Sequence, residues 1–422
     1  MQQMPAVCRT NRLLTLSRMR CKLILPRGGW VIFLTALMLL NYAGIGHYFG
    51  LFLIPVLLYT KGITRYFTWE AVSLLLFSLT YTAFLVIYKG ITGLGVGTLL
   101  LYLWIPLVGY QAGFYLMRVN VSGDTVFKIL YLLMIACALL VMASVFIEIR
   151  KNGFVGGGGR NLPLIGGDDT IVSATGLGAR LSVLLAFLGI PLGTGYTAGQ
   201  RRWSLLLFAG AVVCLIFTVR LGTRTGIVIA LFSAVTLLIY NFRHYSAGGR
   251  IGLLLLLGIV GIGIMNFIEK NGELLLFYMD RMGNETAGIA TGGGRTELWA
   301  YYGSKILSYP FGNMPDHPFL NEYAHNLWID VARRTGIIPL AFLLAFFFST
   351  WRNIYRFIRF SAADRFLKNV VLVVTVAFML QFSVEPVLEG MFMLFVLYCL
   401  FCGMIKRYLQ TDNCICRSKA VY

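Results

Sequence analysis

The amino-acid sequence predicts an all-α, polytopic membrane protein, and three observations lead to this fold class. Of its 422 residues, 58% are hydrophobic and 13% are charged, whereas soluble domains carry about 25% charged residues. The apolar residues form runs that reach the ~20 residues a membrane-spanning helix needs. These runs are continuous, and a transmembrane β-barrel would show short segments of alternating hydropathy instead.

Counting one helix for each apolar run gives about twelve spans. Their expected positions are 30–46, 49–61, 69–88, 95–117, 126–148, 180–197, 203–220, 224–241, 250–267, 336–351, 369–384 and 388–405. An even count puts both termini on one side, and the positive-inside rule makes that side the cytoplasm, because its short loops carry most lysines and arginines. The expected division is a cytoplasmic tail (1–29), nine spans (30–267) with an external loop (151–179), a large external loop with amphipathic helices (268–335), three spans (336–405) and a second tail (406–422).

The net charge of +19 does not indicate a nucleic-acid partner, because the basic residues are spread over short loops that orient the spans. The cysteines lie in apolar runs or in the two tails, so no disulfide is expected. Asp168 and Asp169 are adjacent, without the alternating spacing of a metal-binding loop. Cys399 and Cys402 have no nearby histidines to complete a zinc site. No metal or other cofactor is therefore expected.

The most polar part of the chain is 292–340, which lies between apolar runs and holds His317 and His325, two of the four histidines. A charged loop of this kind cannot build the membrane interior and must contact water. Loops held by a rigid scaffold commonly carry binding and catalytic residues. We therefore expect a functional site here, with His317, in the turn MPDHPF, in a structural role.

Arg220 and Arg224 flank the tight turn TVRLGTRTG between two spans. A basic residue at the start of a helix is disfavoured by the helix dipole, whereas an anion there is stabilised by the free N–H groups. Arg220, Arg224 and the hydroxyls of Thr223 and Thr225 could together hold phosphate. The alternative is that Arg224 extends to the lipid headgroups.

Arg295 opens the amphipathic segment RTELWAYYGSKIL, in which Trp299, Tyr302 and Ile306 recur at helical spacing. One interpretation is an interfacial helix that places this aromatic face on the bilayer. The other gives Arg295 a second phosphate contact, and the two are compatible.

His325 precedes Asn326 and a helical run in which Asp330 and Arg334 are spaced to pair. Histidine titrates near neutral pH, which suits a general base or a donor to a developing charge. The alternative is a structural role, which is the more frequent one for a lone histidine beside a membrane helix. Glu385 and Glu389, in or beside the last short loop, could orient the arginines.

Three segments together carry a resemblance to a known family: RLGTRTGIVIALFSAV, then GGGRTELW with YPFGN, then AHNLWIDVARRTGIIPL. They resemble the O-antigen polymerase and O-antigen ligase superfamily of bacterial inner-membrane glycosyltransferases, over roughly residues 200–400. The ligase pattern is His-Asn, nine residues and Gly-x-x-Gly/Thr/Tyr. Here His325 and Gly336 match it, and Pro339 departs from it.

The resemblance implies a GT-C-like helical fold in the inner membrane, with its active face in the periplasm. It implies an undecaprenyl-pyrophosphate-linked glycan as donor, and an acceptor glycan or lipid A-core as acceptor. The catalytic residues would be His325, Arg224 and Arg295. The expected substrate-binding residues are Arg220, Thr223, Thr225, Asn326, Trp299 and Arg333.

Two family members and one unrelated class stay open. The departure at Pro339 and the short interval between Arg295 and His325 favour a repeat-unit polymerase over a ligase. A polymerase would also allow a chain-length regulator as partner, beside the membrane lipids. A transporter or flippase of lipid-linked glycans is the third hypothesis. It is less favoured because the middles of the spans contain almost no charged residues, whereas transporters place ionisable residues there.

Overall fold

A computed structural model describes the chain at 28–59, 67–119, 123–154, 161–166, 171–248, 251, 262, 266, 269–270, 295–318 and 323–419. Helices dominate these residues, and one short antiparallel strand pair occurs among them. We name the elements in chain order as α1 (Gly28–Leu40), α2 (Gly46–Tyr59), α3 (Trp69–Leu94), α4 (Val96–Val119), α5 (Gly123–Asn152), β1 (Leu162–Pro163), β2 (Ile171–Val172), α6 (Ala174–Leu185), α7 (Ala198–Leu221), α8 (Arg224–Asn241), α9 (Arg295–Lys305), α10 (Leu327–Thr335), α11 (Ile337–Phe360), α12 (Arg365–Val384), α13 (Val387–Gly390) and α14 (Phe392–Lys419).

Within the described ranges, nine helical stretches are long and apolar enough to cross a membrane: α3 to α8, α11, α12 and α14, with α6 continued by a 3₁₀ turn through Leu192. The chain is therefore an all-α, multi-pass membrane protein. The first two predicted spans correspond to α1 and α2, which are shorter. The predicted span 250–267 lies almost wholly outside the described residues.

Several helices run past the predicted ends of their spans. The interval 352–368, between the predicted spans 336–351 and 369–384, is mostly helix. α11 continues to Phe360, and α12 begins after Asp364, whose Oδ1 accepts a hydrogen bond from Leu367 N at 2.8 Å. α14 likewise continues to Lys419, over most of the predicted tail 406–422. Hydropathy indicates which side chains contact lipid. The backbone hydrogen bonds of a helix do not depend on lipid, so the helix can extend into water until a capping residue ends it.

The external loop predicted at 151–179 is shorter than expected. α6 begins at Ala174, after Ser173, whose side chain accepts a hydrogen bond from Gly176 N. Within the loop, Ile165 N donates to the hydroxyl of Ser144 on α5 at 3.0 Å. Asp168 and Asp169 lie outside the described residues.

The closest packing between spans joins α4 to α14. A Cβ at Gly113 would collide with the carbonyl of Leu400, and one at Gly403 with the carbonyl of Tyr110. Small residues allow membrane helices to approach at backbone distance, which is how they gain packing energy where lipid offers no hydrophobic drive. α14 is therefore packed closely against α4, and 83% of the most apolar stretch of α14 is buried.

Polar side chains collect where α5, α7 and α12 end and α6 and α8 begin, and we call this end of the helices the site face. Contacts across it join Arg220 to Glu148 and Thr225 to Glu385. At the opposite face, Lys406 Nζ lies 2.7 Å from Glu70 Oε1, and both side chains are largely buried. The charged groups therefore lie near the helix ends, as expected for a protein in lipid.

Candidate functional site

The centre of the site is the carboxylate of Glu385, whose side chain is 1% exposed. Its Oε1 accepts hydrogen bonds from the hydroxyl of Thr225 at 2.7 Å and from Arg295 Nη2 at 3.2 Å. Its Oε2 lies 3.7 Å from Nδ1 of His325. Residues from three separate segments therefore meet at a single buried acid, which the sequence indicated only as a possible partner of arginines.

The position of Glu385 follows from the end of α12. The helix stops at Val384, and Glu385 has extended backbone angles (φ −138°, ψ 152°) before Pro386. The residue before a proline is restricted to this region, so the helix ends there. The carboxylate is thus placed where the start of α8 and the segment before α10 can reach it.

His325 has a backbone conformation that is uncommon for a residue other than glycine, with φ at 54°. A non-glycine residue in the left-handed region costs free energy and is found most often where the surroundings fix it, as at functional sites. Its Nδ1 is buried and makes no hydrogen bond to the described residues. The side chain as a whole is 18% exposed, so part of the ring can be reached from outside.

The turn that carries His325 is held by its neighbours in α10. Asp330 accepts hydrogen bonds from Ala324 N at 2.8 Å and from Asn326 N at 3.1 Å. Asn326 caps α10 by accepting from Trp328 N and Ile329 N, and its amide donates to Ser383 O at 3.1 Å. Asn326 therefore positions the histidine turn against the end of α12, beside Glu385.

Asp330 and Arg334 were expected to form a pair, and the structure gives Arg334 a different partner. Arg334 Nε lies 3.0 Å from Glu389 Oε1. Asp330 is 1% exposed, and its burial, together with the charge of Glu389, raises its pKa from 3.8 to about 7. Burial lowers the pKa of Arg334, and Coulomb attraction to Glu389 outweighs this effect, so the pKa is raised overall.

Arg295 is the first residue of α9, and the aromatic face of this helix turns towards the protein. Trp299 Nε1 donates to Ala324 O at 2.7 Å, and Tyr302 is fully buried. The interpretation that placed this face on the bilayer is therefore wrong. The periodicity showed which residues share a face, and α10 with its preceding turn covers that face. Packing through Trp299 fixes α9 beside the histidine turn.

Arg220 lies in the last turn of α7 and is 2% exposed. Among the described residues it pairs with Glu148, whose Oε1 lies 3.8 Å from Nη2, which is too long for a hydrogen bond. Its three guanidinium nitrogens make no hydrogen bond to the described residues, and neither does the buried hydroxyl of Thr223. Arg224 follows as the first residue of α8 and is half-buried. The turn 220–225 therefore has buried donors beside the start of a long helix, a combination that suits an anion.

Two predicted residues lie apart from the carboxylate of Glu385 in their described contacts. Arg333 Nη1 lies 2.7 Å from Asp316 Oδ1, and its guanidinium stacks over Tyr302 at 5.3 Å. His317 packs its ring against Tyr301, with centroids 4.6 Å apart, and its Nε2 lies 3.9 Å from Glu297. These contacts hold the segment after α9 against α10, as expected for the structural role predicted for His317, whereas substrate binding by Arg333 stays a prediction.

The sequence did not point to Glu148, and it indicated Glu389 as a partner of arginines without singling out Arg334. Glu148 lies four residues before the end of α5, in a stretch whose charged residues are typical of the end of a helix. Tyr81 also donates to Glu389, at 3.4 Å, from the middle of α3. Such partners are distant along the chain, and no local pattern marks them.

Fold and site together define a multi-pass helical membrane protein with a buried network of acids, arginines and histidine at one face. No protein-family model and no curated protein sequence matches this chain. Among the described residues, no group of three or more His, Cys, Asp or Glu side chains could hold a metal ion.

Proposed function

We propose that this protein is a membrane glycosyltransferase that transfers a glycan from an undecaprenyl-pyrophosphate carrier to an acceptor hydroxyl at the periplasmic face. The observation that carries the proposal is the convergence of Arg295, Thr225 and His325 on Glu385. An arginine, a hydroxyl, an imidazole and a buried carboxylate at one membrane face suit a lipid-linked substrate with an anionic leaving group.

In this reaction the acceptor oxygen forms a bond to the anomeric carbon of the glycan. The bond between that carbon and the pyrophosphate oxygen breaks, and the electron pair leaves with the lipid pyrophosphate. The proton of the acceptor hydroxyl passes to His325 acting as general base. Since Nδ1 of His325 faces Glu385, Nε2 is the nitrogen available to the acceptor, and the carboxylate stabilises the imidazolium as it forms.

The arginines stabilise the negative charge that develops on the leaving group. Arg224 at the start of α8 and Arg295 at the start of α9 carry fixed positive charge at helix N-termini, and no side-chain cap closes the start of α8. Preorganised positive groups of this kind lower a barrier because they need not reorient as charge appears. Arg220 and Thr223, with buried donors in the same turn, would complete the anion site.

Within this class we favour a polymerase that adds repeat units to a growing O-antigen or exopolysaccharide. The alternatives are a ligase that transfers the finished glycan to lipid A-core, and a transporter or flippase of lipid-linked glycans. The arrangement of the polar cluster at one face supports interfacial chemistry over a path through the membrane.

The test compares a strain that lacks the gene with the same strain carrying wild type, Arg224→Ala, Arg295→Ala or His325→Ala. Lipopolysaccharide and undecaprenyl-linked glycans are separated on gels side by side. Single repeat units on finished lipid, without a ladder, identify a polymerase. Long glycans held on undecaprenyl pyrophosphate, with bare core on lipid A, identify a ligase.

His317→Ala is the matched control, because His317 lies in the same segment but contacts Tyr301 and Glu297. It is expected to restore the ladder as wild type does. If all four variants restore it, the assignment of the site is wrong. If deletion of the gene changes neither glycan pool, the transferase proposal fails as a whole.

A further inference from the structure

The segment Ile306–Phe311, which follows α9, exposes large apolar side chains outside the membrane-crossing helices. Leu307 is 85% exposed, Phe311 59% and Tyr309 38%. No other large hydrophobic side chain of the described residues is as exposed as Leu307. Contiguous apolar side chains of this exposure mark a surface that contacts something other than water.

Two hydrogen bonds fix the depth of this segment relative to the membrane. Tyr88, near the end of α3, donates from its hydroxyl to Phe311 O at 2.6 Å. Ile337, the first residue of α11, donates its N–H to Pro310 O at 2.8 Å. Both α3 and α11 are long enough to cross the bilayer, so the segment lies level with the ends of two spans.

Ring stacking places Phe311 slightly deeper than the end of α3. Its ring stacks on that of Phe84, with centroids 6.3 Å apart and planes 28° from parallel. The helical geometry of α3 is broken at Gly90, where φ is 71°. Phe84 therefore lies about 9 Å below that break, at 1.5 Å per residue.

The surroundings on the two spans have the composition of a membrane interface. Ile87 on α3 is 69% exposed and Ile338 on α11 is 40% exposed, so apolar surface continues from the segment onto both helices. Tyr88 and Lys89 stand beside it. Tyrosine and lysine are typical of this depth, because their polar ends reach water while their apolar parts contact lipid.

We propose that Leu307, Tyr309 and Phe311 form an interfacial loop that inserts into the lipid leaflet on the site face, at the boundary between headgroups and acyl chains. The occupant of this surface is thus lipid. The loop also connects to the site, because Asn313 N donates to Arg334 O at 3.2 Å and Met314 N to Arg333 O at 3.1 Å. Lipid contact through the loop therefore fixes the height of α10, and of the histidine turn before it, above the bilayer.

The test measures depth with a spin label in the full-length protein in lipid nanodiscs. Leu307→Cys and Phe311→Cys are labelled after the cysteines of the two tails are replaced, with the cysteines buried inside the spans kept. Collision with oxygen, which concentrates in lipid, is compared with collision with a water-soluble nickel chelate. Phe232→Cys, 52% exposed on α8, gives the lipid reference, and Glu297→Cys, 67% exposed on α9, gives the water reference.

The expected result is an oxygen-to-nickel ratio at both loop positions that is several-fold above that of Glu297→Cys and approaches that of Phe232→Cys. A ratio equal to that of Glu297→Cys would place the loop in water and overturn the proposal. Low collision rates with both reagents would also overturn it, because they would show that a protein surface, such as a second copy, covers the loop.

Discussion

Oε2 of Glu385 lies 3.7 Å from Nδ1 of His325, and the acid is almost completely buried while the ring is partly exposed. This geometry fixes which side of the imidazole faces the protein and which side is left for a substrate. It also places the buried carboxylate of Glu385, which water solvates poorly, beside the imidazole of His325, which becomes positively charged when it accepts a proton.

Replacing Glu385 by glutamine should lower transfer activity by roughly 10-fold or more, since general-base catalysis contributes about 10²–10⁴-fold and the variant removes only the stabilisation of the imidazolium. Size and one hydrogen-bond acceptor are kept. The measurement is the rate of glycan transfer from a lipid-pyrophosphate donor by the reconstituted protein. Glu297→Gln, an exposed acid on α9, should keep the wild-type rate. Equal rates for both variants would remove Glu385 from the mechanism.

The two members of the Arg220–Glu148 pair should respond differently to substitution. The side chain of Arg220 is 1% exposed and that of Glu148 is 17% exposed. Glu148→Gln leaves a buried arginine without its counter-charge, which costs about 3–5 kcal/mol in typical buried pairs. Arg220→Met leaves a glutamate that water can reach. Thermal unfolding in detergent should therefore give a lower midpoint for Glu148→Gln than for Arg220→Met. The reverse order would show that Glu148 does not supply the counter-charge that stabilises Arg220 in its buried position.

Gly336 should not tolerate a side chain. Its φ is 86°, and a Cβ there would collide with Pro310 O. Gly336→Ala combines the cost of a left-handed residue, about 1–2 kcal/mol, with displacement of the segment that binds the end of α10. Lower thermal stability and lower transfer activity are expected together.

The control for this variant is Gly303→Ala on α9. A Cβ there meets no atom within 4 Å, and alanine in a helix interior is more favourable than glycine by about 0.5–1 kcal/mol. This variant should be as stable as wild type or slightly more stable. If both alanines have the same effect, the backbone contact at Gly336 is not limiting.

Asp330 should make stability depend on pH around neutrality. Its pKa in the folded protein is raised from 3.8 to about 7, so its contribution is complete below the unfolded pKa and is lost as the pH rises through about 7. Thermal midpoints of wild type should therefore fall as the pH rises from about 4 to about 7, relative to those of Asp330→Asn, which has no carboxyl group to titrate. Parallel profiles for the two proteins would contradict the raised pKa.

Local sequence signals predicted the parts of the site that depend on neighbours along the chain. The tight turn at Thr223, the start of α9 at Arg295 and the capped turn at His325 could each be read from a short segment. Their meeting at Glu385 could not, because it depends on how distant spans pack. The same limit applies to Trp299, whose helical face was predicted although its covering partner was not.

In the described part of the chain, hydropathy predicted the order of the nine long helices better than their ends, and it also predicted spans at α1 and α2, which are shorter. α11 and α14 continue past their apolar windows because backbone hydrogen bonds do not require lipid. Their ends depend on capping contacts such as that of Asp364. A charged segment can therefore be helix or loop, and composition alone does not distinguish the two.

The glycine contact between α4 and α14 has a consequence for biosynthesis. Gly113 and Gly403 are separated by about 290 residues, which a ribosome adds in roughly 15–60 s at about 5–20 residues per second. During that time the surface of α4 around Gly113 lacks the α14 backbone that packs against it in the folded protein. At the opposite face, Glu70 lacks its ion-pair partner Lys406. Completion of the packing around α4 therefore depends on α14, which leaves the translocon much later.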